Sequence, residues 1–288
     1  MKRKNFHYVV LLVLLVSLWG PAVPTAHAAT ITVNSTSNTV ADDGQCTLRE
    51  AITAANTDSP SGSQPGECPA GSGADTIVLQ NNAVYTLSSI DNFADGPNGL
   101  PSITSDITIE GNGATIERNF HAWDDFRIFH VATNGRLTLK NLTVSGGHIE
   151  GDDGATGNPG GDAVGGGIYN RGTLVLDNCT LSQNAVIGGQ GGDGDWGSDG
   201  ADGNDGSGGP GEDGKDGGDS HGESGGDGLG GGIYNTGVLT LTDTTVLSNT
   251  ATGGRGGWSD TGGDGGDGGA GDSGYHGCLL YTSPSPRD

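Results

Sequence analysis

The six residues GGGIYN occur twice in this chain, at 165–170 and at 230–235. Each copy leads into an apolar alternation, GTLVL at 172–176 and GVLTL at 237–241. Alternation with a period of two is typical of a β-strand. Between the two copies lies a tract of glycine and aspartate with almost nothing to bury. The repetition indicates that the chain leaves one structural unit, makes an excursion and enters the same unit again.

The apolar alternation recurs five times, as pairs of apolar residues two positions apart. Successive pairs are offset by 30, 30, 37 and 65 residues. Copies of a constant unit are therefore separated by inserts of growing length. Each of the last three units holds two short alternating stretches joined by a polar pair, which favours two strands with a corner between them. Such units cannot close a core alone, but they can when stacked. The sequence therefore predicts a parallel β-helix. The pairs expected in register are Ile77/Leu79, Ile107/Ile109, Leu137/Leu139, Leu174/Leu176 and Leu239/Leu241.

Polar residues are expected to form columns at the corners of this stack. Asn141, Asn178 and Asp243 fall in register in the last three units, and Asn184 aligns with Asn249. Side chains of this kind hydrogen-bond along a stack and tolerate unusual backbone angles. The alignment therefore predicts ladders of polar side chains where the chain turns.

Cys179 shares a column with Leu142 and Thr244 in the same alignment. A free cysteine is most often buried and behaves as a small apolar residue. The position therefore predicts a thiol packed in the core, and disfavours a nucleophile or a metal ligand.

The two ends of the chain do not fit the repeat. Residues 1–28 have the basic start, apolar run and A-x-A site of an export signal. We expect the mature chain to begin near Ala29, to be secreted or held at the cell surface, and not to insert into a membrane after cleavage. Residues 278–288, CLLYTSPSPRD, resemble a translated sequencing adapter. We therefore expect this tail to be an artefact and the gene to be truncated, with the remaining units and any surface anchor lost.

Segment 29–75 is expected to close the N-terminal end of the stack. Thr47 and Glu50 form a T-x-x-E capping box before residues at helical spacing. A short amphipathic helix would cover strand edges that otherwise favour aggregation. In an exported chain, Cys46 and Cys68 are the expected disulfide. The apolar stripe of the helix consists of Leu48, Ala51, Ile52 and Ala55.

These residues give the chain a resemblance to a known family. CTLREA at 46–51, followed by ADTI at 74–77, is similar to the bacterial CSLREA domain, with Thr47 in place of its serine. ITIEGNGATIER at 107–118, FRIFHV at 126–131 and the two GGGIYN copies resemble the right-handed parallel β-helix repeats that follow this domain in secreted and surface proteins. The resemblance implies this fold and export, and it supplies no shared catalytic motif. The glycine-rich inserts depart from the family pattern.

Three glycine-rich inserts interrupt the predicted β-helix of residues 76–277, at 151–164, 188–229 and 253–277. In the middle insert glycine recurs at every third position from Gly191 to Gly209, the period of a polyproline II helix. For an isolated insert of this acidic composition, a disordered loop is the favoured interpretation. Because all three inserts leave the same edge of the stack, they could also lie side by side as a second layer.

Calcium is the metal that aspartate-rich loops suggest, since it takes six to eight oxygen ligands. The stretch GGDGDWGSD at 191–199 departs from the calcium-binding nonapeptide G-G-x-G-x-D-x-U-x at two positions. Dedicated sites are therefore not expected, and weak, diffuse calcium binding is the hypothesis. The aspartates concerned are Asp193, Asp195, Asp199 and Asp202. No other cofactor is expected.

The chain contains 12 Lys and Arg residues against 35 Asp and Glu residues, a formal net charge of -23. Such a surface repels nucleic acids and anionic membranes, which excludes both as expected partners.

Two functions remain open at this point. The favoured one is an exported scaffold for adhesion or interaction, with an extracellular carbohydrate or a cell-surface protein as partner. The alternative is a polysaccharide-degrading lyase or glycoside hydrolase, with its site near Asp124 or in the missing C-terminal region. A hydrolase would need paired carboxylates on a sugar, and a lyase a calcium cluster with a basic residue to abstract a proton. The candidate catalytic residues are Asp124 and Asp125, near His121, Trp123 and Arg127. The same residues are also ordinary for a solvated turn, and a fold alone does not establish a function.

Overall fold

The computed structural model describes residues 28–195, 198, 201–202, 215, 218 and 220–259. Over these residues the chain is mostly β-structure, with one α-helix and strands that pair in parallel. This agrees with the predicted all-β class. Residues 1–27 of the predicted export signal and the adapter-like tail at 278–288 lie outside the described residues.

The helix α1 spans Leu48–Thr57. The strands of the described part of the chain are β1 (Thr30–Thr32), β2 (Ala74–Val78), β3 (Val84–Leu87), β4 (Asp106–Arg118), β5 (Phe129–Val131), β6 (Arg136–Ser145), β7 (His148–Glu150), β8 (Ala163–Val164), β9 (Ile168–Asn170), β10 (Thr173–Asp177), β11 (Thr180–Ser182), β12 (Ala185–Ile187), β13 (Gly228–Leu229), β14 (Ile233–Asn235), β15 (Val238–Thr242), β16 (Thr245–Leu247) and β17 (Thr250–Thr252).

The largest sheet places one strand from each successive unit side by side, in the order β1-β2-β4-β6-β10-β15. Leu137 lies opposite Ile107 on one side and opposite Leu174 on the other, and Leu174 in turn lies opposite Leu239. The predicted alignment of the last four apolar pairs is therefore confirmed. Because alternate side chains of a strand face the same way, this register puts the repeated apolar pairs on one face, which is buried as far as β10.

The smaller sheets repeat the same order of units. The two GGGIYN copies pair directly through β9 and β14, with Ile168 opposite Ile233, and β5 continues this sheet with Phe129 opposite Ile168. Strands β7, β12 and β17 form another three-stranded parallel sheet, and β8 pairs with β13. The repeated hexapeptide therefore restores one register after each insert, as its sequence predicts.

The first apolar pair is in a different register from the one predicted. Ile77 lies opposite Ile109, and Asp75 lies opposite Ile107, so the pairing is displaced by two residues. A displacement of two leaves the same side chains on the inner face, and apolar periodicity could not distinguish the two registers. In the observed register the Asp75 carboxylate is buried and accepts the N–H groups of Ser72 and Ala29 at 2.8 and 3.0 Å.

The N-terminal block has the predicted capped helix. The Thr47 side chain accepts the N–H of Glu50 while the Glu50 side chain accepts the N–H of Thr47, and the predicted apolar stripe is buried. Cys46 and Cys68 are joined by a disulfide. Strand β1, which sequence reasoning missed because it is only three residues long, extends the main sheet beside β2.

The remaining polar residues of CTLREA also have structural partners. The second carboxylate oxygen of Glu50 accepts the N–H of Ala41 at 2.8 Å. Arg49 is buried and forms an ion pair with Asp91 at 3.0 Å, while its Nε donates to Asn38 at 2.7 Å. The motif thus joins the helix to the segments before and after it, which gives its charged residues a role in folding.

The predicted polar columns mark the corners. Asn141, Asn178 and Asp243 have φ of 50°, 52° and 45°, in the left-handed region that asparagine and aspartate tolerate better than most residues other than glycine. The side chain of Asn178 donates to that of Asn141 at 3.3 Å. At the second predicted column Asn184 Nδ2 donates to Asn249 Oδ1 at 2.9 Å. Both columns are therefore confirmed.

Cys179 is buried and has no disulfide partner among the described residues. Because Thr180 pairs with Thr143 and with Thr245, Cys179 lies in the column of Leu142 and Thr244. Burial raises the pKa of this thiol, and a protonated thiol is a weak nucleophile. Its predicted position in the core is confirmed.

The described parts of the inserts are hydrogen-bonded to one another through their backbones. Gly188, Gly191 and Gly194 donate to carbonyl groups of segment 252–258 in the third insert, whereas Gly189 and Gly192 donate to the first insert. Donors that recur every third residue, with a different neighbour on each face, have the period of a polyproline II helix. These parts form a second layer, and the disordered loop favoured for an isolated insert is wrong for them.

Glycine is required in this layer because the neighbouring backbones approach each other closely. A Cβ atom added at Gly189, Gly192 or Gly254 would overlap the carbonyl oxygen of a neighbouring segment. Any side chain at these positions would separate the segments and break the hydrogen bonds between them. At these described positions glycine is therefore a packing requirement.

The last described unit forms an open edge of the stack. Leu176 and Leu181 are fully buried, whereas their partners Leu241 and Val246 in the next unit are 48% and 51% exposed. Strands β15, β16 and β17 each pair with only one neighbour among the described strands. The apolar columns thus continue up to an edge that could accept another strand layer.

Candidate functional site

The predicted catalytic carboxylates lie on a turn between β4 and β5, residues 119–125, which we call the aromatic turn. Arg118 stabilises it from its base. Its Nη2 donates to the carbonyl oxygens of Ala122 and Asp124 at 3.3 and 2.7 Å and to the Asp125 carboxylate at 2.8 Å. Its guanidinium lies 5.3 Å from the ring centre of Phe126. One arginine thus fixes both the backbone and a carboxylate of the turn.

Asp124 and Asp125 are adjacent in sequence but differ in their surroundings. The same Asp125 oxygen that binds Arg118 lies 2.8 Å from Nδ1 of His148 on β7. Asp124 is exposed and is held through its carbonyl group. Asp125 therefore connects the turn to the neighbouring sheet, and Asp124 presents its carboxylate to solvent.

Two aromatic side chains of the turn are almost fully exposed. Phe120 is 87% exposed and Trp123 is 101% exposed. The ring of His121 packs at the edge of Phe120, with 5.3 Å between ring centroids. The turn therefore exposes two apolar rings beside the Asp124 carboxylate, over a polar, hydrogen-bonded base.

Arg127 follows the turn in sequence but faces the interior. It is 1% exposed, and it donates to the carbonyl oxygens of Asp95, Val164 and Gly165 and to Oδ1 of Asn98, at 2.8 to 3.3 Å. Burial lowers its pKa to about 10, so it remains charged at neutral pH. It binds the backbone where the first insert rejoins the stack, which explains why an arginine is buried here.

A second polar cluster joins the loop before β4 to strand β5. His130 is 2% exposed; its Nδ1 lies 2.9 Å from Oγ of Ser102, and its Nε2 lies 3.2 Å from the Asp95 carboxylate without the alignment of a hydrogen bond. Arg171 forms an ion pair with the same carboxylate at 2.6 Å. Burial lowers the pKa of His130, while the hydrogen bond from Arg171 lowers the pKa of Asp95.

This cluster has the composition of a hydrolytic triad but not its arrangement. An activated serine donates its proton to the histidine, whereas the single hydroxyl proton of Ser102 is donated to Oδ1 of Asn92 at 3.0 Å. His130 is enclosed, and Asp95 has φ of 53° in a tight loop. The arrangement is suited to holding that loop against β5. Sequence reasoning missed it because the residues come from segments far apart in the chain.

Aromatic rings continue from His130 along the stack. Tyr169 lies opposite His130, and Tyr234 lies opposite Tyr169, with ring centroids 5.6 and 5.3 Å apart. Arg127 lies over the Tyr169 ring at 5.3 Å. The tyrosines of the two GGGIYN copies therefore pack on the outside of the sheet, between the units that the isoleucines join on the inside.

Aspartates of the inserts bind backbone N–H groups of the next unit. Asp153 accepts from Gln190 at 2.7 Å, and Asp193 accepts from Trp258 at 2.9 Å. Asp195 and Asp202 also lie among the described residues, whereas Asp199 lies outside them. Within the described ranges, no group of three or more His, Cys, Asp or Glu side chains is arranged to hold a metal ion. The hypothesis of weak calcium binding stays a prediction.

Comparison with known proteins identifies no relative of this chain. No protein-family model matches the chain, and neither a curated protein nor a solved structure matches it. The similarity of residues 46–51 to the CSLREA motif stays a prediction. In the described part of the chain, no helix is long and apolar enough to cross a membrane.

Proposed function

We propose that the chain is an exported protein of the CSLREA type, folded as a right-handed parallel β-helix, which serves as a binding scaffold outside the cell. The support for this fold is the pairing of one strand from each unit across six strands, in one direction and order. The units stay in register although 37 residues separate one pair and 65 the next. A stack of this kind carries loops on its outside without disturbing its core.

The observation that supports binding over catalysis is the aromatic turn. Asp125, one of the two candidate carboxylates, is held by Arg118 and His148, so it has a structural role. The aromatic side chains Phe120 and Trp123 of the same turn are exposed. A fixed base with exposed aromatic rings favours contact with a partner, because Trp and Phe supply large contact areas.

The experiment is a binding and cleavage screen with the purified mature chain. Acidic and neutral polysaccharides are immobilised, and both retention of the protein and release of new reducing ends are measured. The scaffold predicts retention without cleavage. Cleavage that disappears in the Asp124→Asn and Asp125→Asn variants would instead establish a polysaccharide-degrading enzyme.

Export and the handedness of the coil need separate measurements. Fractionation of the producing cells should place the protein outside the cytoplasm, and a protein retained inside would contradict export. A crystal structure should show a right-handed path of the chain through β6, β10 and β15.

A further inference from the structure

The exposure of Trp123 is unusual for a soluble protein. Tryptophan is highly buried on average, and burying an aromatic ring of this size removes roughly 150–250 Å² from water. Trp123 and Phe120 nevertheless lie almost wholly outside the protein, three positions apart on one turn. The turn thus leaves a large favourable burial unused, which a ligand would supply.

The turn is already ordered before any ligand arrives. Arg118 bonds to two of its carbonyl groups, and Asp125 connects it to His148. Within the turn, Asn119 accepts two hydrogen bonds of 2.9 Å. Its carbonyl oxygen accepts the N–H of Ala122, and its side-chain oxygen accepts the N–H of His121. A ligand therefore loses little affinity to ordering of the loop.

The size of the surface decides what kind of ligand it fits. Two exposed aromatic rings together offer at most on the order of 300–500 Å², whereas a stable protein interface needs about 800 Å² from each partner. The smaller area matches one or two sugar rings. The face of an aromatic ring is electron-rich and attracts the C–H groups on the face of a sugar, while the adjacent Asp124 carboxylate accepts bonds from its hydroxyl groups.

Charge then selects among polysaccharides. The chain has a formal net charge of -23, and a surface of this sign repels anionic polymers. We propose that the aromatic turn is a binding site for an uncharged polysaccharide, with Trp123 stacking on a sugar ring and Asp124 accepting its hydroxyl hydrogen bonds. This inference rests on the proposed scaffold function and adds the site and the class of ligand to it.

The test compares Trp123→Ala with Trp258→Ala in retention on three uncharged polysaccharides, cellulose, starch and chitin, and on acidic pectate. Trp258 is also exposed, at 77%, but lies in the glycine layer, so it is a matched control. We expect Trp123→Ala to weaken retention on at least one uncharged polymer about tenfold or more, Asp124→Asn to weaken it less, and Trp258→Ala to leave it unchanged. Equal melting temperatures of the variants show that folding is unaffected.

The contrary results fall into two kinds, those that overturn the site and one that overturns the scaffold function. Equal losses in the two tryptophan variants, an unchanged Trp123→Ala variant, or retention on pectate alone would overturn the proposed site. Cleavage of a retained polymer would overturn the scaffold function, while a loss specific to Trp123→Ala would still support the turn as the place where the polymer binds.

Discussion

Replacing Gly192 with alanine tests whether the glycine layer is closely packed. The new Cβ would lie 2.5 Å from the carbonyl carbon of Ala155 and would overlap its oxygen. Normal contact begins near 3.5 Å, so the segments must separate by at least about 1 Å. Overpacking of this kind costs about 1–3 kcal/mol. It also strains two backbone bonds of 2.9 Å, from Gly192 to Asn158 and from Glu223 to Gly192, each of which contributes about 0.5–1.5 kcal/mol.

Alanine also stabilises a protein by restricting the unfolded chain, by about 0.4–1 kcal/mol. The steric effect is larger, so we expect Gly192→Ala to lower the free energy of unfolding by about 2–4 kcal/mol. Gly256→Ala is the control, because its Cβ would lie 3.5 Å from the nearest atom, the carbonyl oxygen of Glu223. It should be neutral or slightly stabilising.

Urea unfolding measures the two free energies, and hydrogen exchange locates the effect. The amide protons of Gly192 and Glu223 should exchange faster in Gly192→Ala and should be unchanged in Gly256→Ala. If both variants behave alike, or if Gly192→Ala is stabilised, the segments do not pack as described. The layer would then be a set of loops whose glycines serve only flexibility.

Four further predictions concern the polar groups, the disulfide and the inserts. Burial lowers the pKa of His130, so as the pH falls the unfolded state takes up a proton before the folded state does. The stability that neutral His130 contributes is therefore complete above about pH 6.5 and is lost as the pH falls through the lower pKa of the folded state. A plot of urea midpoint against pH should therefore be flatter in this pH range for His130→Asn than for the wild type. The exposed control His121→Asn should follow the wild type. Equal slopes for His130→Asn and the wild type would contradict the prediction. Arg127→Lys should cost about 3 kcal/mol or more, since a lysine cannot reach all four oxygens; a loss below 1 kcal/mol would mean that the buried guanidinium is not needed. Replacing Cys46 and Cys68 together with serine, which opens a loop of sequence separation 22, should lower stability by about 2–4 kcal/mol, and an unchanged melting temperature would contradict this. Millimolar calcium should raise the melting temperature reversibly if the insert aspartates bind it, and the hypothesis fails if neither calcium nor a chelator has an effect.

Local pattern was sufficient for the elements of the stack. The capping box of Thr47 and Glu50 and the left-handed corner at Asn178 depend on contacts within a few residues or on a repeated column, and both are present. The register of β2 was predicted incorrectly, because a shift of two residues preserves which side chains face inwards. What settles that register is the buried Asp75, whose partners Ser72 and Ala29 no periodicity could indicate.

The candidate site could likewise be predicted only in part from the sequence. A turn rich in aromatic and acidic residues is visible in the sequence at 119–125, but its chemistry depends on Arg118 at its base and on His148 from another strand. The cluster of Asp95 and His130 was not predicted, since these residues lie 35 positions apart and meet only after the loop folds onto β5.

The sequence by itself determined the parallel strands, the corners and the repeated entry into one register, because these follow from apolar alternation and from residues that tolerate special backbone angles. Only the tertiary structure decided which glycine segment lies against which, and that Asp125 is held while Trp123 is exposed. The physical reason is range. Periodicity expresses contacts along a strand and between identical units, whereas packing between inserts and loops depends on distances that no short stretch of sequence encodes.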